Sequence, residues 1–346
     1  MNILVLSNAA PFVRGGAEEL AENLVANLRK QRGISAELLR IPFQWDPANV
    51  LINQILLNQN LRLANVDRVI AMKFPAYLIP HENKTIWLMH QYRQAYDLDR
   101  DGMTNIPNNV AGDKIRAAIR IADNACFADA RQIYTISPVV SKRLSRFNNV
   151  RSQVLHHPLN EPEIFTGGDY RPYIFAGGRI GEGKRQHLLV EAMRYVKSPT
   201  TRLIVAGPPE SPDYAERLRH IVNTYGLAER VDLRLTFLPR SEIVELVNQA
   251  RACASIPIDE DSMSYVAMEA FAARKCVITV SDAGGLLELV KHRETGFVTA
   301  PDPKEIAASL DAVSDDKCAV KFGKAARDLW ERLDITWASR IERLLS

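Results

Sequence analysis

At 346 residues the chain is more than twice the usual domain size of about 150, so two domains are expected. Hydrophobic residues make up 47% and charged residues 25%, which excludes disorder and leaves enough apolar surface for sizeable cores. With 44 basic against 41 acidic side chains the net charge is only +3, and no global field recruits nucleic acid.

The chain opens on a buried-strand pattern, Asn2-Ile3-Leu4-Val5-Leu6, then a loop with Gly15-Gly16 and a helical run from Ala17 to Arg32. Its first dozen residues turn polar too soon for a signal peptide, and no apolar run approaches the roughly 18 residues of a membrane span. The expectation is a cytoplasmic protein, with peripheral docking on a membrane through a basic or amphipathic face left open. Further strands are read at Val66 to Ala71, Lys84 to Met89 and Gln132 to Ile136, the last leading into a helix over Pro138 to Phe147. A Pro/Gly-rich stretch from His157 to Asp169 follows, with the boundary placed between Glu163 and Tyr170.

A second strand series runs through Tyr173 to Ala176, Arg202 to Ala206, Val231 to Leu235, Ala252 to Ile256 and Cys276 to Val280. Short apolar strands alternating with helices imply parallel sheets covered on both faces. The fold expected is therefore α/β, with two Rossmann-like halves over residues 1–165 and 166–325 and a terminal segment, 326–346. Ligands of such sheets bind beyond the C-terminal strand ends, which puts the expected site between two facing halves.

The chemistry concentrates in Ile256-Pro257-Ile258-Asp259-Glu260-Asp261-Ser262-Met263-Ser264-Tyr265-Val266-Ala267-Met268-Glu269, read as strand end, acidic loop and helix. Ser262 and Ser264 are N-cap candidates, and a helix starting near Ser264 would turn free N–H groups and its positive dipole end toward a phosphate. Gly177-Gly178-Arg179-Ile180-Gly181-Glu182-Gly183-Lys184 is a glycine-rich loop with two cations after a strand. Gly284-Gly285 followed by Glu288, and Thr295-Gly296, mark strand-helix turns. His90 stands just past a strand end.

Together these motifs resemble the signature of family 4 (group 1) retaining glycosyltransferases of the GT-B superfamily, strongly in the second half and loosely in the first. The resemblance implies that Asp261 contacts the donor sugar and Glu269 the ribose of its nucleotide. Arg179 and Lys184 would hold the diphosphate, and Gly178, Ser262, Met263, Ser264 and Tyr265 would line the donor side. Gly15 and Gly16, in Arg14-Gly15-Gly16-Ala17-Glu18, would approach the donor from the acceptor half, and His90 would lie against the donor sugar. Two departures stand out: Asp261 replaces the usual Glu, and Met263-Ser264 replaces Phe-Gly or Tyr-Gly. Lys73-Phe74-Pro75, Arg93 and Tyr96 are candidates for the acceptor side. The run Ala319 to Leu345 would return to the first half, with Trp330 and Trp337 as packing residues.

The implied function is metal-independent transfer of a hexosyl group, with retention, from a UDP- or GDP-linked sugar to a hydroxyl of a glycan or glycolipid, in polysaccharide or glycolipid synthesis. No cofactor is implied beyond the nucleotide sugar itself. A catalytically silent sugar-nucleotide-binding protein and a GT-B epimerase are the alternatives. The base, the sugar, the acceptor and the oligomeric state are not readable. The four cysteines lack C-x-x-C spacing and read as reduced thiols. The run from Asp97 to Gly102 imitates a calcium loop but has Asn108 where a bidentate Glu is needed. Neither a Gly-x-Ser-x-Gly elbow nor a dinucleotide Gly-x-Gly-x-x-Gly follows a strand.

Overall fold

The chain, seen in a computed structural model that describes residues 1–12, 15–100 and 102–346, forms two compact units. One comprises Met1–Pro158 with Thr336–Ser346, the other Leu159–Ile335.

The first unit runs β1 (Asn2–Ala9), α1 (Gly16–Leu28), β2 (Ser35–Pro42), α2 (Leu51–Asn60), β3 (Arg68–Lys73), β4 (Lys84–His90), α3 (Asp97–Arg100), α4 (Val110–Asp129), β5 (Gln132–Thr135), α5 (Pro138–Asn148) and β6 (Gln153–Val154). Its strands pair in parallel in the order β2-β1-β3-β4-β5-β6. Val5, Leu6, Ile70, Ala71, Ile86 and Leu88 are fully buried, as strands covered on both faces require.

The second unit follows with β7 (Tyr173–Gly177), α6 (Gln186–Ala192), β8 (Arg202–Ala206), α7 (Pro212–Thr224), β9 (Val231–Arg234), α8 (Arg240–Gln249), β10 (Ala252–Ala254), α9 (Tyr265–Ala272), β11 (Val277–Val280), β12 (Gly296–Thr299), α10 (Pro303–Ala312) and α11 (Asp316–Leu333). Its sheet, also parallel, has the order β12-β11-β10-β7-β8-β9. Sequence order reverses between β7 and β10, so the chain leaving those two strands diverges at their C-terminal ends. That is where an open parallel sheet makes its crevice.

The C-terminal run is two helices. α11 stops where Asp334 takes a left-handed φ of 43°, and Thr336 caps α12 (Trp337–Leu345) by accepting from Ser339 N. Trp330 is buried in the second unit's core. α12 belongs to the first unit: Arg68 Nη1 donates to Leu344 O (3.0 Å), Tyr134 OH to Arg343 O (2.9 Å), and Trp337 meets Trp87 edge-on at 6.4 Å. Both tryptophans pack.

A polar cluster is embedded in the first unit's core. The fully buried Asp123 carboxylate accepts from Tyr77 OH (2.8 Å) and Tyr96 OH (2.7 Å), while Lys84 Nζ donates to Tyr77 O and Ile79 O, both 3.1 Å. Burial raises the Asp123 carboxyl to about 7 against the pull of its two tyrosine hydrogen bonds. Between an unfolded value near 3.8 and the folded value the native state holds the extra proton. The resulting stability is therefore complete below the unfolded value and is lost as pH rises through the folded one. Wild type should gain on the order of a few kcal/mol over Asp123→Asn as pH falls from 7.5 to 4.5. Urea unfolding of both chains at each pH checks this; parallel pH profiles would refute it.

Candidate functional site

The site is assembled at the C-terminal edge of the second sheet, beginning with the chain that leaves β7. Gly178 there has φ 105°, and a Cβ added to it would lie 3.5 Å from Val266 Cγ2, so the end of β7 lies close to the first turn of α9. The tight turn Glu182–Lys184 follows. Its Gly183 O accepts from Ile258 N (2.9 Å), which joins it directly to the acidic loop after β10.

The opposite side of that loop is held by the chain after β11. Asp259 N donates to Asp282 O (2.8 Å), Glu260 N to Ala283 O (3.2 Å) and Gly285 N to Glu260 O (2.8 Å). A Cβ at Gly284, whose φ is 68°, would sit 2.4 Å from Glu260 O, and one at Gly285 2.7 Å from Ser262 O. The glycine pair, read from sequence as a fold marker, lets the loop bearing Asp261 press against its neighbour.

The helix α9 begins where the sequence placed it, but its start is built differently. Ser264 occupies the N-cap position with φ 59° and makes no side-chain cap bond; Ser262 Oγ instead accepts from Ser264 N (3.4 Å). Neither serine is thus an ordinary cap, because φ 59° takes Ser264 out of the extended conformation that an N-cap residue adopts. Met263 is 1% exposed and belongs to the hydrophobic core, so its side chain is removed from the donor-lining set. Tyr265 is partly buried against the same core. Glu269, on α9 and 6% exposed, forms an ion pair with Arg240 at the start of α8, whose guanidinium lies 4.9 Å over the Phe165 ring.

The two predicted phosphate cations flank the β7 turn, each facing a carboxylate. Arg179 is 3.5 Å from Glu210, with both side chains nearly half exposed, and Lys184 pairs with Glu260. Arg185, which sequence reading passed over, is buried at 8% exposure. Its Nε donates to Ile256 O (3.0 Å), its Nη2 to Pro257 O (2.6 Å), and Nη1 and Nη2 grip Asp282 (2.9 and 2.7 Å). The Arg185 hydrogen bonds hold the Asp282 carboxyl below the usual range. The only sequence signal for this role was a second cation directly after Lys184.

In the first unit Gly15 is extended (φ −168°) ahead of α1 and Gly16 is its first residue; Arg14 of that motif lies outside the described residues. His90 ends β4, in register with Lys73 of β3. His90 Nδ1 lies 2.7 Å from Gln91 O, and since a carbonyl only accepts, Nδ1 carries the proton. Gly15, beyond β1, and His90, the last residue of β4, thus stand at the same edge of the first sheet.

Several acceptor-side candidates prove structural. Phe74 is buried against Tyr92 (5.3 Å between rings), Tyr96 is committed to Asp123, and Arg93 Nε donates to Asp97 (2.8 Å). The calcium-like run is occupied by arginines: Arg93 and Arg143 bind Asp97, and Arg116 Nε donates to Asp99 (2.8 Å), while Asp101 lies outside the described residues. Arg143 is accordingly a buried partner of Asp97.

Comparison with known proteins follows the same division. Residues 162–329 match the family described as Glycosyl transferases group 1. Over the whole chain, the crystal structure of Anabaena HepE in complex with UDP superposes with a TM-score of 0.74 at 17% identity, covering 100% of this chain and 98% of that one. Sucrose-phosphate synthase of Thermosynechococcus elongatus gives 0.73 at 17% identity, covering 99% and 97%. An uncharacterized glycosyltransferase of Methanocaldococcus jannaschii is 28% identical over 45% of this chain and 39% of its own length. Alpha-maltose-1-phosphate synthase of Mycolicibacterium smegmatis is 28% identical over 51% of this chain. The chain spans less than half the length of these curated relatives, 39% and 47%.

Two doubly wound parallel sheets, matching glycosyltransferase structures end to end, define the fold as GT-B. The match to the group 1 glycosyltransferases lies within the second unit.

Proposed function

We propose that the chain is a family 4 enzyme that moves a hexosyl group from a UDP- or GDP-linked sugar to a hydroxyl of a glycan or glycolipid, with retention at the anomeric carbon. The observation that carries this reading is the direct joining of the Lys184 turn to the Asp261–Glu269 segment, through Gly183 O to Ile258 N (2.9 Å) and the Lys184–Glu260 ion pair. That juxtaposition puts cations for a diphosphate and carboxylates for sugar and ribose hydroxyls on one sheet edge. HepE, of the same fold, was crystallised with UDP and with UDP-glucose.

In this reading the bond from the anomeric carbon to the diphosphate oxygen breaks and the acceptor oxygen bonds to that carbon on the same face. The acceptor proton passes to the leaving phosphate, and nucleoside diphosphate and glycoside are the products. Arg179 and Lys184 exchange their carboxylate partners for phosphate oxygens and stabilise the departing charge, which makes a metal ion unnecessary. Asp261 binds the donor sugar, Glu269 the ribose, and His90 meets the sugar from the acceptor side. Phe237, 74% exposed just before α8, offers the base an apolar wall. No helix among the described residues is long and apolar enough to cross a membrane. α4 exposes Val110 and Ile121, and a lipid-linked acceptor would be met by peripheral contact on the cytoplasmic face.

Asp261 and Ser264, where the chain departs from the family pattern, favour one rival, a protein that binds donor without turnover, because a shorter acid and a side chain at φ 59° alter the geometry around the reacting sugar. Incubation with UDP-, GDP- and ADP-sugars across an acceptor panel, followed by NMR of the anomeric protons, decides between them. Product with the donor's anomeric configuration is expected. Inverted product contradicts retention, binding without product supports the silent protein, and an epimer formed from donor alone supports an epimerase.

A further inference from the structure

We propose that Arg185 is a positioning residue that sets Lys184 for the donor diphosphate, an inference that rests on the donor-site reading above. Arg185 holds φ 54° and ψ 32°, a left-handed conformation that is strained for a non-glycine residue. Such a conformation persists where the surroundings over-determine it. Here they do: the buried guanidinium commits Nε, Nη1 and Nη2 to two segments distant in sequence. Nε and Nη2 tie down the carbonyls of Ile256 and Pro257 at the exit of β10, and the bidentate grip on Asp282 reaches the exit of β11. The backbone N–H closes the β7 turn onto Gly181 O (3.1 Å).

Lys184 is the preceding residue along the backbone. Anchoring Arg185 by its side chain therefore fixes the stem from which Lys184 projects, against the same loop that carries Asp261. Lysine at this position could not make a planar bidentate grip and two carbonyl bonds at once. Glycine would adopt φ 54° without strain and retain none of the anchoring, so Arg185→Gly separates backbone conformation from side-chain positioning.

The test is calorimetric titration of UDP, GDP and ADP, and of the matching nucleosides, into wild type, Arg185→Gly, Arg185→Lys, Lys184→Met and the Arg185→Gly/Lys184→Met double variant. Arg185→Gly should retain cooperative unfolding, weaken the diphosphate that wild type binds by about tenfold, and leave the nucleoside unaffected. Arg185→Lys should recover part of the loss. With Lys184 already absent, Arg185→Gly should cost less than about twofold more, because the two act through one contact.

Diphosphate affinity within twofold of wild type in Arg185→Gly would overturn the role. So would equal weakening of diphosphate and nucleoside, or an undiminished effect in the Lys184→Met background. Should Arg185→Gly lose its cooperative transition, Arg185→Lys carries the test, and unchanged diphosphate affinity there overturns the role. Wild type that binds none of the three diphosphates overturns the donor-site reading itself, and this role with it.

Discussion

Lys184→Met should lower the transfer rate by on the order of 10²–10³ while leaving the chain folded. The side chain is about one-third exposed on a short turn and pairs with the partly exposed Glu260, so its loss strands no fully buried charge. Methionine keeps the length and apolar stem but cannot accept the charge that builds on the departing diphosphate. Since that charge peaks in the transition state, kcat should fall more than donor KM rises. Steady-state kinetics with the active donor checks this, with thermal unfolding as the control for folding. A kcat within threefold of wild type would remove Lys184 from the chemistry.

Glu269→Gln should cost about tenfold to a hundredfold in nucleoside diphosphate affinity, the usual worth of hydrogen bonds to a charged acceptor. Unlike Lys184, Glu269 is nearly buried, and its substitution takes a carboxylate partner from Arg240, whose guanidinium also lies over the Phe165 ring. Some loss of stability is therefore expected alongside the loss of binding. A ribose-specific readout distinguishes the two effects. Wild type should prefer UDP or GDP over its 2′,3′-dideoxy analogue, and Glu269→Gln should bind the pair nearly equally. A variant that keeps the wild-type preference would place the ribose elsewhere.

These two residues were legible in the sequence because their signals are local. Lys184 stands five positions after Arg179 in a glycine-rich turn, and Glu269 closes an acidic loop-helix string. Their partners were not legible, since each is fixed only by the fold. Arg185 meets Ile256 across 71 residues and Asp282 across 97, Lys184 meets Glu260 across 76, and Arg240 meets Glu269 across 29. No periodicity announces pairings of that kind.

The same limit explains the strands that reading the sequence passed over. β2 lies at one edge of its sheet with a mixed burial pattern, β6 is two exposed residues, and β12 is a four-residue edge strand that begins at the Thr-Gly turn. Edge strands are half solvated, so the continuous apolar run that marked the central strands is missing. Ser262 and Ser264 show the converse error. Residue type and position both favoured a cap, but the φ of 59° at Ser264 follows from how the loop is held between the β7 turn and Gly284-Gly285, which is not a property of the local string.

The central claim, that the second unit is a nucleotide-sugar donor site organised around Lys184 and Glu269, is tested most directly by thermal unfolding in the presence of UDP, GDP, ADP and their sugar conjugates. One base should stabilise well above the others, by about 2.7 kcal/mol at a hundredfold excess over its dissociation constant. Most of that gain should disappear in both Lys184→Met and Glu269→Gln. Absence of stabilisation by any of these nucleotides, or stabilisation that survives both substitutions, would contradict the account.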